Sequence, residues 1–270
     1  MKYINKAKKS LGQNFLIDKN IINKIIKIGN INNTKNVVEI GSGYGSLTTA
    51  INRFNPKQII AIEKDKNLSS FLENKFKDNK KIKVINSDIL NLIEKNNFKK
   101  KTTVFGNLPY NVSTKILASL ILLKKWPPWY DMLVLMFQKE VADRIIAKAN
   151  TKEFGRLSVL ANWRLEVKKH FDISNNCFFP KPKIMSTVLS FKPIKNNKFN
   201  LQNPKNLEKI TRILFSNRRK MINKNFRKIF KNSNHVANEL NINLKNRPSD
   251  LSNEIYYKIA IQYENYLTNS

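Results

Sequence analysis

The chain has 270 residues, of which 50 are Lys or Arg and 19 are Asp or Glu, so its formal net charge is +31. One Cys and two His leave almost no material for a zinc site or an internal disulfide, which fits a reducing compartment. The longest apolar runs are far shorter than the roughly 20 residues that span a bilayer, so we expect a cytoplasmic protein with no membrane partner.

Part of the basicity has a simple explanation, because Lys far outnumbers Arg and Asn is abundant, as an AT-rich coding bias produces. Such a bias does not explain why acidic residues are so scarce. A large positive surplus creates a long-range field whose commonest partner is nucleic acid. An anionic membrane is the alternative, and no strongly amphipathic terminal helix favours it.

Short β-branched runs alternate with helical stretches over the first part of the chain, which predicts βαβ units and a mostly parallel sheet. A further pair of runs, 163–167 and 186–191, is expected to add antiparallel strands. After a polar stretch, helical spacing begins near residue 205, with breaks at 232–234 and 247–248. We therefore predict an α/β domain over 1–193 and a small helical domain over 204–270. The predicted strands are 37–40, 59–63, 82–86, 103–105 and 132–137, and the predicted helices between them are 47–54, 68–77, 114–123 and 140–149.

The first predicted strand runs into a glycine-rich turn that contains Gly41, Gly43 and Gly45. Glycines let the backbone approach a ligand closely, although the spacing is not the one expected for dinucleotide binding. The next two strands end at Glu63 and Asp88, which can accept hydrogen bonds from a ribose diol and an adenine amino group. S-adenosylmethionine fits this pattern better than NAD or ATP; the alternative is a structural turn with surface acids.

The fourth strand ends in Asn107-Leu108-Pro109-Tyr110. The N6 lone pair of adenine is delocalised into the ring, so N6 is a poor nucleophile. The amide oxygen of Asn107 and the carbonyl of Leu108 can accept from this amine and free the lone pair for methyl transfer. Pro109 stiffens the turn and Tyr110 offers a flat face to the base. Such a transfer depends mainly on alignment and needs no general base.

A second aromatic segment, Phe178-Phe179-Pro180-Lys181-Pro182-Lys183, is stiffened by prolines. An aromatic ring here can stack on a flipped base, and Lys181 or Lys183 can contact phosphate. A rigid loop with one buried Phe is the alternative. We expect one Phe in the core and the other in a functional position.

Taken together, these motifs resemble the ribosomal RNA adenine N6,N6-dimethyltransferase family almost from end to end. The glycine turn, Glu63, Asp88 and the 107–110 turn match in order and spacing. Further segments similar to family signatures are 8–16, 155–160, 178–186 and 215–220.

The resemblance implies a Rossmann-like, S-adenosylmethionine-dependent methyltransferase with a mostly parallel seven-stranded sheet and a helical C-terminal domain. Its substrate would be two adjacent adenosines in the 3′-terminal hairpin of small-subunit rRNA, each methylated twice within a pre-30S or 30S particle. A monomer is expected. In this reading Tyr110 and Phe178 hold the target adenine, together with the Asn107–Pro109 turn. The implied cofactor contacts are Asn14, Leu16, Gly41, Gly43, Glu63, Asp88 and Asn107.

A basic stretch without acids covers residues 216–231. A charge run is usually a solvated helix face, but the missing acids, the overall charge and the resemblance favour contact with the RNA backbone. The predicted RNA-binding residues are Arg218, Arg219, Lys220, Lys224, Arg227, Lys181 and Lys183.

Two other functions remain open at this point. The first is a large-subunit rRNA adenine methyltransferase of the macrolide-resistance type, although segments 12–16 and 155–160 resemble the small-subunit group more. The second is a non-catalytic RNA-binding or assembly factor on the same fold, which would have lost pocket residues that this chain retains.

Overall fold

The computed structural model describes residues 12–95 and 98–268, so residues 8–11 of the opening motif lie outside the described part. The chain forms two compact units. Two segments that the predicted division places in the first domain, 121–126 and 143–166, belong to the second unit. The first unit consists of segments 1–120, 127–142 and 167–193, and the second of segments 121–126, 143–166 and 194–270.

A seven-stranded sheet forms the centre of the first unit, accompanied by a separate two-stranded ribbon. The strands are β1 (Phe15–Leu16), β2 (Asn36–Ile40), β3 (Gln58–Glu63), β4 (Ile82–Asn86), β5 (Thr102–Asn107), β6 (Tyr130–Gln138), β7 (Leu165–Ile173), β8 (Phe178–Phe179) and β9 (Ser186–Pro193).

The sheet has the order β4-β3-β2-β5-β6-β9-β7, and β1 pairs with β8 in the ribbon. Strands β2 to β6 run parallel to one another, whereas β9 is antiparallel to β6. The predicted fold class, an α/β protein with a mostly parallel seven-stranded sheet, is confirmed.

Helices connect the parallel strands, as the alternation in the sequence predicts. A further helix precedes β2; it begins after Asp18, whose carboxylate accepts from the backbone N–H groups of Asn20 and Ile21 and so caps the helix. The helices that begin in the first unit are α1 (Lys19–Ile28), α2 (Ser46–Asn52), α3 (Lys66–Lys75), α4 (Ile89–Lys95), α5 (Ser113–Ile121) and α6 (Lys139–Ile146).

The strand order reverses next to β2, which has β3 on one side and β5 on the other. The chain crosses the sheet in one direction from β2 to β4 and returns to β5 on the opposite side. Ligands of open α/β sheets bind in the crevice at such a switch point, outside the carboxyl ends of the strands. The fold therefore predicts a ligand site among the residues that follow β2, β3, β4 and β5.

The second unit is helical in its described residues beyond 204, and its last helix packs against α7 and α8. Its helices are α7 (Arg156–Arg164), α8 (Lys205–Leu214), α9 (Asn223–Arg227), α10 (Ser233–Glu239) and α11 (Asn253–Thr268).

Two expectations about secondary structure are wrong. The strand predicted over 163–167 begins only at Leu165, because Trp163 and Arg164 are the last two residues of α7. The Trp163 side chain is buried, and its Nε1 donates to the Phe199 carbonyl at 2.8 Å. The basic stretch 216–231 is not one helix. It is interrupted at the fully buried Ile222, whose N–H donates to the Asn246 carbonyl at 2.9 Å.

None of the helices in the described ranges combines the length and the apolar character that crossing a bilayer would require.

Candidate active site

A cavity of about 190 Å³ opens at the carboxyl ends of β2, β3, β4 and β5, within the first unit. Because neighbouring parallel strands end at the same edge of the sheet, four positions that are far apart in the sequence meet here. Those four are Gly41, Glu63, Asp88 and Asn107. The cavity is also lined by Gly12, Gln13, Asn14, Phe15, Gly43, Lys64, Ser87, Leu108, Pro109, Tyr110 and Asn111, among others.

The glycine turn after β2 forms one wall of the cavity. Gly43 has a φ of +54°, and a Cβ at this position would lie 2.9 Å from Cδ1 of Phe15. A larger residue would therefore be strained in its backbone and would also push Phe15 away. Glycine at 43 allows the segment that carries Phe15 to lie directly against the turn.

Glu63 ends β3 and points its carboxylate at the glycine turn. Its Oε2 accepts from the Gly43 N–H and its Oε1 from the Asp65 N–H, both at 2.8 Å. Burial raises the pKa of Glu63, partly opposed by these two hydrogen bonds. A carboxylate has about four acceptor positions, so Glu63 can still accept from the hydroxyl groups of a ligand.

Asp88 follows β4 on the adjacent wall. Its Oδ1 accepts from the Leu90 N–H and its Oδ2 from Nζ of Lys64, both at 3.0 Å. Burial pushes the pKa of Asp88 upward, but the Leu90 amide and the positive charges of Lys64 and Lys115 outweigh it, so the pKa lies below its ordinary value. Asp88 is therefore an ionised acceptor at neutral pH.

A third acid, Glu39, lies in β2 beneath the turn and is buried. Burial raises its pKa to about 8, opposed by the hydrogen bond from the Thr48 hydroxyl and reinforced by the nearby Glu63. Glu39 does not line the cavity. Its carboxyl group joins β2 to α2, which holds the glycine turn between them.

The Asn107–Tyr110 turn forms another part of the cavity wall. Nδ2 of Asn107 donates to the Asn14 carbonyl at 2.7 Å, which fixes the orientation of the side-chain amide. The Pro109 carbonyl accepts from the N–H groups of Val112 and Ser113 and so starts α5. The Tyr110 hydroxyl lies 2.7 Å from Oγ of the buried Ser186 at the start of β9.

Two of the residues assigned to the site lie elsewhere. Leu16 and Phe178 are 4% and 3% exposed and belong to the hydrophobic core of the first unit, together with Ile22 and Val188. Neither lines the cavity. The expectation that one Phe of the pair enters the core is confirmed for Phe178, but a buried ring has no free face for an adenine. Phe179 is the exposed member of the pair.

The predicted RNA contacts lie at the surface. In the first unit Lys181 and Lys183 are exposed in the loop between β8 and β9. In the second unit Arg218 is half-buried, with a guanidinium nitrogen donating to the Lys152 carbonyl. The other four predicted contacts in the basic stretch 216–231, which we call the tail, are exposed: Arg219, Lys220, Lys224 and Arg227.

Several site residues escape sequence reasoning. Phe15 and Gln13 line the cavity, and Nε2 of Gln13 donates to Oδ2 of Asp65 at 3.3 Å. Lys64 forms the ion pair with Asp88, and Ser186 holds Tyr110. Lys64 could have been noticed from its place next to Glu63, whereas the partnership of Ser186 with Tyr110 has no local signal.

Across the described ranges, no cluster of three or more His, Cys, Asp or Glu side chains is arranged to hold a metal ion.

The family model described as "Ribosomal RNA adenine dimethylase" matches residues 4–265 of the chain. The chain belongs to this family. The match covers both compact units, so the helical C-terminal region is part of the family as well as the sheet. Membership confirms the enzyme class that the resemblance implies, an rRNA adenine dimethyltransferase.

Relatives with curated names agree with this assignment. The "Ribosomal RNA small subunit methyltransferase A" of Pelagibacter ubique (strain HTCC1062) is 52% identical over 259 residues, which are 96% of this chain and 97% of the relative. The protein of the same name from Wolbachia pipientis wMel is 38% identical over 272 residues, which are 99% of this chain and 93% of the relative.

Two solved structures share the fold of this chain. A dimethyladenosine transferase from Plasmodium falciparum has a TM-score of 0.78 at 24% identity, covering 93% of this chain and 98% of that one. The 23S rRNA methyltransferase ErmE has a TM-score of 0.65 at 18% identity, covering 93% and 99%. At these identities the likeness supports the fold alone.

Proposed function

We propose that the cavity binds S-adenosylmethionine and that the 107–110 turn presents the N6 amine of an rRNA adenosine to it. The chain is an S-adenosylmethionine-dependent enzyme that dimethylates adenosines in small-subunit rRNA. The observation that carries the assignment of the site is the convergence of Gly41, Glu63, Asp88 and Asn107 on one cavity.

The acceptors of the cavity suit a nucleoside. Glu63 is anchored by two backbone N–H groups and retains acceptor capacity for the two hydroxyls of a ribose. Asp88, ionised and fixed by Lys64 and Leu90, suits the exocyclic amino group of an adenine. We assign the remaining cofactor contacts to Gly41, Gly43, Asn14 and Asn107, which line the same cavity.

The turn supplies the alignment that the reaction needs. When bound, S-adenosylmethionine supplies an electrophilic methyl group. The Asn107 amide, held at Nδ2 by Asn14, directs its oxygen as an acceptor for the N6 hydrogens, and the Leu108 carbonyl is the second acceptor. These acceptors draw the N6 hydrogens out of the ring plane, so the lone pair is freed for attack on the methyl carbon. N6 forms its bond to this carbon as the carbon–sulfur bond of the cofactor breaks, and N6 then releases one proton to water. Tyr110, held at its hydroxyl, faces the adenine ring.

The finer features of the substrate are part of the proposal. We assign the activity to two adjacent adenosines of the 3′-terminal hairpin, each methylated twice, within a pre-30S or 30S particle. The net charge of +31 supports a large folded RNA as the partner. We expect the enzyme to act as a monomer and in the cytoplasm.

The test is methyl transfer from labelled S-adenosylmethionine to ribosomal particles that lack this modification. We expect incorporation into small subunits, at N6 of the two adenosines by mass spectrometry, and none into large subunits. Asn107→Ala should lower kcat on the order of 100-fold, because it removes an oriented acceptor. Asn74→Ala, at an exposed position of α3, is the matched control. Incorporation confined to large subunits would contradict the proposal and favour the large-subunit activity.

A further inference from the structure

The two-stranded ribbon formed by β1 and β8 has a buried face and an exposed face. Leu16 pairs with Phe178, and both side chains enter the core. Phe15 pairs with Phe179, and the Ile17 N–H donates to the Cys177 carbonyl at 2.9 Å, which extends the ladder. Because side chains alternate along a strand and paired residues share a face, Phe15, Ile17 and Phe179 lie on the face opposite to Phe178.

The exposed face is apolar. Ile17 is 47% exposed and Phe179 is 39% exposed. Both are large hydrophobic side chains that leave much of their surface in water although neighbouring positions of the same ribbon are buried. Exposed apolar side chains that lie together beside a cavity form a candidate binding surface.

This face continues into the wall of the cavity. Phe15 lines the cavity and touches the glycine turn, and its ring lies 4.7 Å from that of Tyr44 in an edge-on arrangement. Phe179 is the direct cross-strand partner of Phe15. A molecule that reaches the cavity along the ribbon therefore meets the ring of Phe179 next to its mouth.

The electrostatic setting of the ribbon favours a polyanion. Lys181 and Lys183 are exposed just after Phe179, and no acid occurs from Phe178 to Ser190. Two acids of the same unit have favourable partners of their own. Asp18 caps α1, and Asp172 is paired with Lys139 and Lys169.

We propose that Phe179, supported by Ile17, is a stacking platform for an unpaired base of the rRNA at the mouth of the cavity. RNA is read mainly through unpaired bases, which stack on exposed aromatic rings while lysines contact the backbone. Phe178 lies on the buried face of the ribbon, so its ring is not available to such a base. The inference rests on the proposed function for the identity of the RNA, and it adds a base-binding position outside the cavity.

The primary test is the Phe179→Ala enzyme assayed on small subunits that lack the modification. Loss of a base–aromatic stack should raise KM for the particle about 5- to 100-fold and leave the affinity for S-adenosylmethionine unchanged. Phe54→Ala is the matched control, because Phe54 is also 39% exposed and lies after α2, away from the cavity lining. If Phe179→Ala behaves as Phe54→Ala does, the platform is refuted.

Two further variants separate stacking from simple apolar contact. Phe179→Trp should retain the wild-type KM, whereas Phe179→Leu should resemble Phe179→Ala. A Leu variant with wild-type KM would contradict stacking. Melting temperatures of all variants should stay within about 3 °C of the wild type, since an exposed side chain contributes little to folding.

Photo-crosslinking identifies the partner. Benzoylphenylalanine in place of Phe179 should crosslink to rRNA in the particle; crosslinks to a ribosomal protein instead would overturn the proposal. The same experiment tests the Phe179 platform separately from the proposed function. If the wild-type chain does not methylate small subunits but the position-179 crosslink to rRNA forms, the proposed function fails and the platform stands.

Discussion

Tyr110 is held at its hydroxyl by Ser186, a residue 76 positions away in the chain. The bond joins the turn after β5 to the first residue of β9, across β6, which lies between the two strands. Burial raises the pKa of Tyr110, so the hydroxyl remains neutral and can donate or accept in this pair. Ser186 therefore sets the position of a ring that the proposed mechanism places against the adenine.

Removal of this hydroxyl is expected to slow methylation. Ser186→Ala should lower kcat by about 3- to 10-fold, the usual worth of one neutral hydrogen bond, with little change in the affinity for S-adenosylmethionine. Tyr110→Phe removes the same bond from the other side, so the double variant should be no slower than the slower single variant. The measurement is single-turnover methylation of small-subunit particles.

A matched control lies four residues further along the same strand. Ser190 is buried as well, and its Oγ lies 2.8 Å from Nε2 of His170. Ser190→Ala makes the same chemical change in β9 without touching the turn. Equal rates for the Ser186 and Ser190 variants, or losses that add in the Ser186→Ala/Tyr110→Phe double variant, would show that the bond does not position the ring. The ratio of mono- to dimethyladenosine in the product gives a second readout that reduced stability alone does not move.

At the scale of elements, the sequence predicts the parallel part of the sheet and the residues at its edge. Buried β-branched runs such as 36–40 can form only central strands, and the carboxyl ends of parallel strands meet whatever their connections. The sequence is therefore sufficient to place Glu63, Asp88 and Asn107 at one edge of the sheet. The orientation of Phe178 and Phe179 could not, because a ribbon with two residues per strand has no alternation to read, and a slip of one residue exchanges the faces.

Glu39 connects β2 to α2 through Thr48, and its titration should be visible in the stability of the protein. The pKa of Glu39 is about 8 in the folded state, whereas a solvent-exposed glutamate has a pKa of 4.5, so between these values the native state keeps a proton that the unfolded state loses. In this window the unfolded state binds fewer protons, and the contribution of Glu39 to stability falls as the pH rises.

Glu39→Gln should remove this part of the pH dependence. The amide stays neutral, so the difference in melting temperature between variant and wild type should move in favour of the variant from pH 5 to pH 8. Thermal unfolding at closely spaced pH values measures it, with Glu73→Gln, at an exposed position of α3, as the control. A constant difference between the Glu39→Gln and wild-type curves across this range would rule out the raised pKa.

At the scale of the whole molecule, the surplus of 31 positive charges acts over a distance. Because a coding bias also adds lysines, composition does not tell which basic residues contact RNA and which contribute only to the net charge. The structure provides two sets of four exposed basic residues that can be compared. Four exposed basic residues lie in the tail of the second unit, and four exposed lysines lie just before β3 and β4, at the edge of the sheet opposite to the cavity. The tail set is Arg219, Lys220, Lys224 and Arg227, and the opposite-edge set is Lys57, Lys77, Lys80 and Lys81.

Replacing each set by Gln removes the same charge, so a long-range field alone predicts equal effects. Direct contact of the tail set with phosphates predicts a difference. Each phosphate contact contributes about 0.7 to 0.9 to the slope of log Kd against log salt, because binding releases condensed counterions. Loss of four contacts should therefore reduce the slope by roughly 3 for the tail set and by much less for the opposite-edge set. Binding of small-subunit particles at several salt concentrations measures both slopes, and equal reductions would show that the tail residues act only through the net charge.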